Sequence, residues 1–171
     1  MTDRAKVTAW LMAALTMVML SACSITRIDR GHSLIQDDPA ESYADVYFIR
    51  PNTEHPQGFS DNPLVVEVND ERLMRLGKGE YTRVRIKARD IVVTMRVQAQ
   101  VRGRWEVTEL EQTRSFNLEA GRTYFILAKM KDGEFRGVTF IPESISLFDA
   151  KQLPRPLRAT GAASAAPIDR L

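Results

Sequence analysis

Cysteine is almost absent: a single one, Cys23, occurs in 171 residues. No intramolecular disulfide can form, so the fold has to rest on burial and hydrogen bonding. Histidine is nearly as scarce, with His32 and His55 alone. None of the spacings G-x-S-x-G, S-x-x-K or H-E-x-x-H occurs. That removes the sequence patterns of a serine-hydrolase elbow, a serine–lysine pair and a zinc-peptidase helix. A long apolar run is missing as well. The greasiest stretch, Ala9 to Leu20, holds about a dozen residues, and crossing a bilayer as a helix takes roughly twenty at about 1.5 Å each. Charge of one sign is also lacking. The formal net charge is +2, and Asp3, Arg4 and Lys6 supply one unit of it, so a chain without residues 1–22 carries +1. Such near-neutrality gives no bulk argument for nucleic acid as a partner. With 27% charged and 44% hydrophobic residues, the composition is that of one globular domain rather than of a disordered chain.

What the amino terminus does contain is a processing pattern. Arg4 and Lys6 precede the short apolar segment, and the polar ITRIDRGHS follows it at once, which reads as a signal peptide over residues 1–22. Its end, Leu20-Ser21-Ala22-Cys23, resembles the lipobox of bacterial lipoproteins. Small residues let an extended backbone enter a narrow peptidase cleft, and a cysteine thiolate makes the thioether to a diacylglycerol. The resemblance implies cleavage after Ala22, a diacylglycerol on Cys23 and an acylated amine on the new terminus. Each buried methylene contributes about 0.8 kcal/mol, so two or more long chains anchor stably where one does not. Ser24 stands where aspartate resembles a retention signal in the sorting pathway of double-membrane bacteria. The implied address is the outer membrane, facing the periplasm. No further cofactor is expected.

Beyond the anchor, CSITRIDRGHSLIQDDPAES has no steady period and is expected to be a flexible tether over residues 23–42. As a random coil it would span roughly 25 Å root-mean-square. The Pro- and Ala-rich residues 154–171 are expected to be a disordered tail. The folded unit then covers residues 43–153, where the dominant period is two. In IVVTMRVQAQV (91–101), Ile91, Val93, Met95, Val97, Ala99 and Val101 alternate with polar partners, which is a strand with one face in a core. YADVYFIR (43–50), PLVVEVND (63–70), YTRVRIK (81–87), WEVTEL, TRSFNL, TYFILAKMK and FRGVTFIP follow the same reasoning, with turn residues between them. Asn69 and Asp70 both tolerate positive φ and predict a tight hairpin. The spacing predicts an all-β, antiparallel sandwich of about seven or eight strands, with a helical turn or two in ESISLFDAKQL.

The segments YFIRP (47–51), VEVNDERLMRL (66–76), LGKGEYTRVRI (76–86) and NLEAGRTYFI (117–126), in that order, resemble the bacterial lipoprotein domains grouped as domain of unknown function 2846. The chain departs from that pattern at Asn69-Asp70, where an Asp-Gly type turn is usual, and at Arg89-Asp90, where a glycine is expected. The resemblance implies a small envelope β-sandwich and brings no catalytic residue with it.

Few residues suggest chemistry. Glu54, His55 and Asp61 lie in the TEHPQGFSDNP loop without the spacing of metal ligands, so no metal site is expected. Gly77-Lys78-Gly79 reads as a turn, because no helix follows to present amides to a phosphate. Arg83, Arg85 and Lys87 are expected on one face of a strand, with Arg96 on the next, as a row able to meet lipid phosphates or another anionic envelope polymer. The rival reading is a solvated face balanced by Glu67, Glu106, Glu109 and Glu111. The aromatics Trp105, Phe116, Tyr124, Phe125, Phe135 and Phe140 are expected in the core and in cross-strand pairs. The expected function is therefore a non-enzymatic binding or structural module, held at the membrane by its lipid and facing another envelope protein through sheet edges and the 52–62 loop. Binding of anionic lipid or polymer is the alternative, and an envelope hydrolase a weaker one.

Overall fold

A computed structural model describes residues 25–35, 38–52, 62–100, 107–132 and 138–171. Among the described residues, ten strands form two five-stranded sheets. The first sheet runs in the order β1 (Arg27–Ile28), β4 (Glu71–Leu76), β3 (Leu64–Val68), β6 (Asp90–Gln100), β7 (Val107–Asn117). The second runs β10 (Arg158–Gly161), β5 (Glu80–Lys87), β2 (Tyr43–Arg50), β8 (Thr123–Asp132), β9 (Val138–Ile145). The all-β sandwich expected from the period of two is present. Its strands are not all antiparallel, however: β2 lies parallel to β8, and β10 lies parallel to β5. Each parallel pair joins segments far apart in the chain, which no hairpin signal reveals.

Local sequence explains the elements. Asn69 and Asp70 have φ of 51° and 64° and close the β3–β4 hairpin, a pair of left-handed residues whose twist matches the strands they join. Asn69 adds its side chain, with Oδ1 accepting from the Val92 N–H at 2.8 Å. In β6, Ile91, Val93, Met95 and Val97 are buried as the alternation predicts. Ser146 caps the short helix α1 (Leu147–Gln152), and Asp149 returns the bond to the Ser146 N–H, a capping box with aspartate in the usual glutamate place.

Burial divides into two cores. Between the sheets lie Val46, Phe48, Val66, Leu76, Ile86, Met95, Ile126 and Phe140 with their neighbours. The second core covers the outer face of the second sheet, where Tyr47, Ile49, Tyr81 and Phe125 meet Ala150, Ala163 and Ile168. Tyr47 and Phe125 stack at 5.2 Å between ring centroids. Successive residues 46–49 of β2 are thus buried on both faces, which is why that strand reads VYFI without alternation.

The second core corrects one expectation. Residues 154–171 are not a disordered tail: β10 pairs with β5 through Arg158–Gly161, two 3₁₀ turns follow, and Ile168 is 2% exposed. The sheet face supplies the apolar surface that the segment's own sequence lacks. The expected tether is corrected too. β1 pairs with β4, the Asp29 N–H donates to the Leu73 carbonyl at 2.8 Å, and His32 and Leu34 are buried. The chain is therefore docked from residue 25, not from residue 43.

Candidate functional site

The sandwich is closed along one side, where β7 approaches β9. On the other side the edge strands β1 and β10 leave a cleft of about 800 Å³. Its lining comes from four places in the chain: Thr26 to Gly31, Arg72, Met74 and Arg75 of β4, Thr82 of β5, and Thr160 and Gly161 of β10. The floor is polar but already satisfied. The Thr82 hydroxyl donates to the Thr160 carbonyl at 3.1 Å, and the Thr160 hydroxyl donates to the Tyr81 carbonyl at 3.0 Å.

The rim carries the charge. Arg27, Arg30, Arg72 and Arg75 are all exposed, against one acid of the lining, Asp29, which meets Arg72 at 3.5 Å. Arg27 and Arg75 are direct cross-strand partners in the β1–β4 register. Side chains so placed have Cβ atoms about 4.5–5.5 Å apart, and like charges there repel. Such a rim can hold an anion; it has no nucleophile activated by a base.

Beside the cleft sits a buried carboxylate of β5 that holds the segment around Thr26 and the start of β10. Glu80 has a side chain 3% exposed. It accepts from the Thr26 N–H at 2.9 Å, from the Thr26 hydroxyl, and from the Arg158 guanidinium. Burial pushes the Glu80 carboxyl up, but the hydrogen bonds from Thr26 and Arg158, with the charge of Arg158, outweigh it and leave the group below its ordinary value. Gly77 makes room for this carboxylate: a Cβ there would lie 2.7 Å from the Glu80 Cδ.

Arg83, Arg85 and Lys87 stand at alternate positions of β5, on one face as the period predicts, but Arg96 is not beside them. Arg83 faces Asp45 at 3.7 Å, Lys87 meets Glu41 at 3.3 Å, and the Arg85 guanidinium lies 5.0 Å over the Tyr43 ring. Arg96 stands on the other sheet, among Glu67 at 2.9 Å, Glu111 at 3.2 Å and Glu109 at 3.8 Å. Attraction from Glu67 and then, after the opposing effect of burial, from Glu111 and Glu109 holds its guanidinium charged even beyond the ordinary arginine range. Each of these four cations has a local partner, and of the acids the sequence suggested, Glu67, Glu109 and Glu111 all serve Arg96.

His32 is placed firmly but is not free for chemistry. Its Nδ1 accepts from the Leu34 N–H at 3.1 Å and its Nε2 lies 3.2 Å from the Val68 carbonyl, so both ring nitrogens serve the backbone. Among the described residues, no group of three His, Cys, Asp or Glu could hold a metal ion, and no helix is long and apolar enough to cross a membrane. Of the predicted aromatics, Phe125 and Phe140 are buried, and Phe116 and Tyr124 pack at the core margin. Ala22, Cys23, Ser24, Glu54, His55, Asp61, Trp105, Glu106 and Phe135 lie outside the described residues. Sequence reasoning missed two features. The arginines of RIDR and RLMR meet only through the β1–β4 register, and Arg50 is a buried cation whose Nη1 donates to the Asn62 carbonyl at 2.7 Å and the Leu76 carbonyl at 3.1 Å. No family model, curated protein or solved structure matches the chain.

Proposed function

We propose that this chain is a bacterial lipoprotein, cut after Ala22 and held by acyl chains on Cys23, whose sandwich is a non-enzymatic binding module at the envelope membrane. Where the source has two membranes, Ser24 assigns it to the outer one, facing the periplasm, and its partner there is another envelope protein. The likeness of residues 43–153 to the lipoprotein domains of unknown function 2846 agrees with this reading, and membership of that group is part of the proposal. One observation carries it: a short apolar segment ends in Leu20-Ser21-Ala22-Cys23, the chain's single cysteine. A single thioether with its glyceride supplies two acyl chains, enough for stable anchoring. A hydrolase reading is weakened by His32, whose ring nitrogens are both engaged by backbone groups. The test is intact mass of the protein purified from membranes, with labelling by a fatty-acid probe. A chain starting at Cys23 with added acyl mass, and loss of label in Cys23→Ala, are expected. An intact Met1 start or a bare Cys23 overturns the proposal.

A further inference from the structure

We propose that the arginine-rimmed cleft between β1 and β10 is the surface by which the domain lies against the membrane, taking the phosphates of anionic lipid headgroups. The inference rests on the lipid-anchor reading for the position of the membrane. Arg27 lies four positions beyond Cys23, and an extended chain advances at most about 3.6 Å per residue, so the reach is at most roughly 14 Å. The headgroup zone on each side of a bilayer is about 5–8 Å thick. A chain that begins to pack at residue 25 therefore cannot hold its domain clear of the lipid, and Arg27 stands within or just above the phosphate layer.

Three further observations agree with that placement. Ile25, the first described residue, is 53% exposed although apolar, and it lies between the anchor and the cleft. Arg27, Arg30, Arg72 and Arg75 share the rim with Asp29 alone, a net of three positive charges. Arg27 and Arg75 are cross-strand neighbours whose repulsion an anion between them would relieve. Guanidinium groups match phosphate oxygens in paired N–H···O bonds, which suits them to this ligand better than ammonium groups. Near an anionic surface each basic residue favours binding roughly fivefold, so a net of three favours the docked orientation roughly a hundredfold over a neutral surface.

The experiment uses the lipidated chain, its Cys23 modification verified by intact mass, in lipid nanodiscs of phosphatidylcholine with or without phosphatidylglycerol. Amide hydrogen exchange is followed at residues 25–31 and 71–76. Slower exchange of these segments on anionic discs alone, reversed by high salt and abolished in Arg27→Ala/Arg75→Ala, is the expected result. Both arginines are exposed, so the double variant keeps its fold, which its thermal midpoint verifies. Equal exchange on neutral and anionic discs overturns the proposal. Equal protection by inorganic phosphate on neutral discs makes the cleft a free-anion site and also overturns it. A bare Cys23 defeats the anchor reading separately, and the same exchange measurement with anionic vesicles added to that unlipidated chain then decides the cleft.

Discussion

Replacing Glu80 by alanine tests whether one buried carboxylate ties the segment around Thr26 and the start of β10 to the sandwich. Its acceptors serve Thr26 of the amino-terminal segment and Arg158 at the start of β10. A hydrogen bond to a charged group contributes about 1.5–3 kcal/mol, and breaking a fully buried pair costs about 3–5 kcal/mol. The upper figure does not apply, because the Arg158 side chain is 51% exposed and regains water when its partner is lost. The Thr26 N–H has less access to solvent, since residue 26 is half-buried. A loss of about 2–3 kcal/mol follows, and for a domain of this size each kcal/mol lowers the thermal midpoint by about 2–4 °C. The expected fall is therefore about 4–12 °C.

The acid dependence carries a sign. Glu80 has a folded-state value below its ordinary 4.5, so its contribution is fully present above that ordinary value and is lost as pH falls through the lowered one. Glu80→Gln keeps the shape and one acceptor but cannot titrate. Compared with the native chain, it is expected to be less stable near neutrality and to lose less on acidification below about pH 4.5. Denaturant titrations at neutral and acid pH check this, and proteolysis after Arg27 and Arg158 reports release of the two segments. An unchanged midpoint in Glu80→Ala, or parallel acid profiles for the native chain and Glu80→Gln, would refute the reasoning.

Two other substitutions probe the two cores. Val97 is 3% exposed between the sheets, and Val97→Asp removes about 1.5–3 kcal/mol of burial while placing a carboxylate there. Circular dichroism is expected to show a domain unfolded at ambient temperature, and an unchanged melting curve would mean the β6 register is wrong. Ile168→Ala acts on the carboxyl-terminal cover; large-to-small core changes cost about 2–5 kcal/mol, and a segment at a chain end can detach locally rather than unfold everything. The expected result is faster proteolysis after Arg158 with a smaller shift in the global midpoint, whereas equal cleavage rates would show that the cover is not held by this side chain.

How much of this was legible in the sequence follows from where each signal originates. Asn69-Asp70 and the alternation of 91–97 are local: the turn needs two residues that accept positive φ, and the strand needs one apolar face. Both were readable without a partner. The carboxyl-terminal cover was not, because Leu153, Leu157, Ala159, Ala163 and Ile168 fall at irregular intervals and become apolar surface only when laid on Tyr47, Ile49 and Tyr81. The VYFI run of β2 was the hint, since a strand with one wet face has no reason to place apolar residues on both sides. The amino-terminal segment hid in the same way. His32 looks like a solvated polar residue until Val68 and Leu34 take up its ring nitrogens.

Charge misled for a related reason. Arg83, Arg85 and Lys87 stand out because they alternate along one strand, yet alternation places them beside Asp45, Glu41 and Tyr43, groups contributed by neighbouring segments. Arg27 and Arg75 are 48 positions apart and show no pattern, but strand pairing sets them face to face at a sheet edge. Fold topology thus neutralises the visible basic row and assembles the invisible one. The same topology places Thr26, which contributes to that cleft, on Glu80, which also holds Arg158. Tension applied through a lipid on Cys23 would meet this carboxylate first. If the proposed anchor on Cys23 holds, the Thr26–Glu80–Arg158 contact is the first firm attachment point it meets in the sandwich.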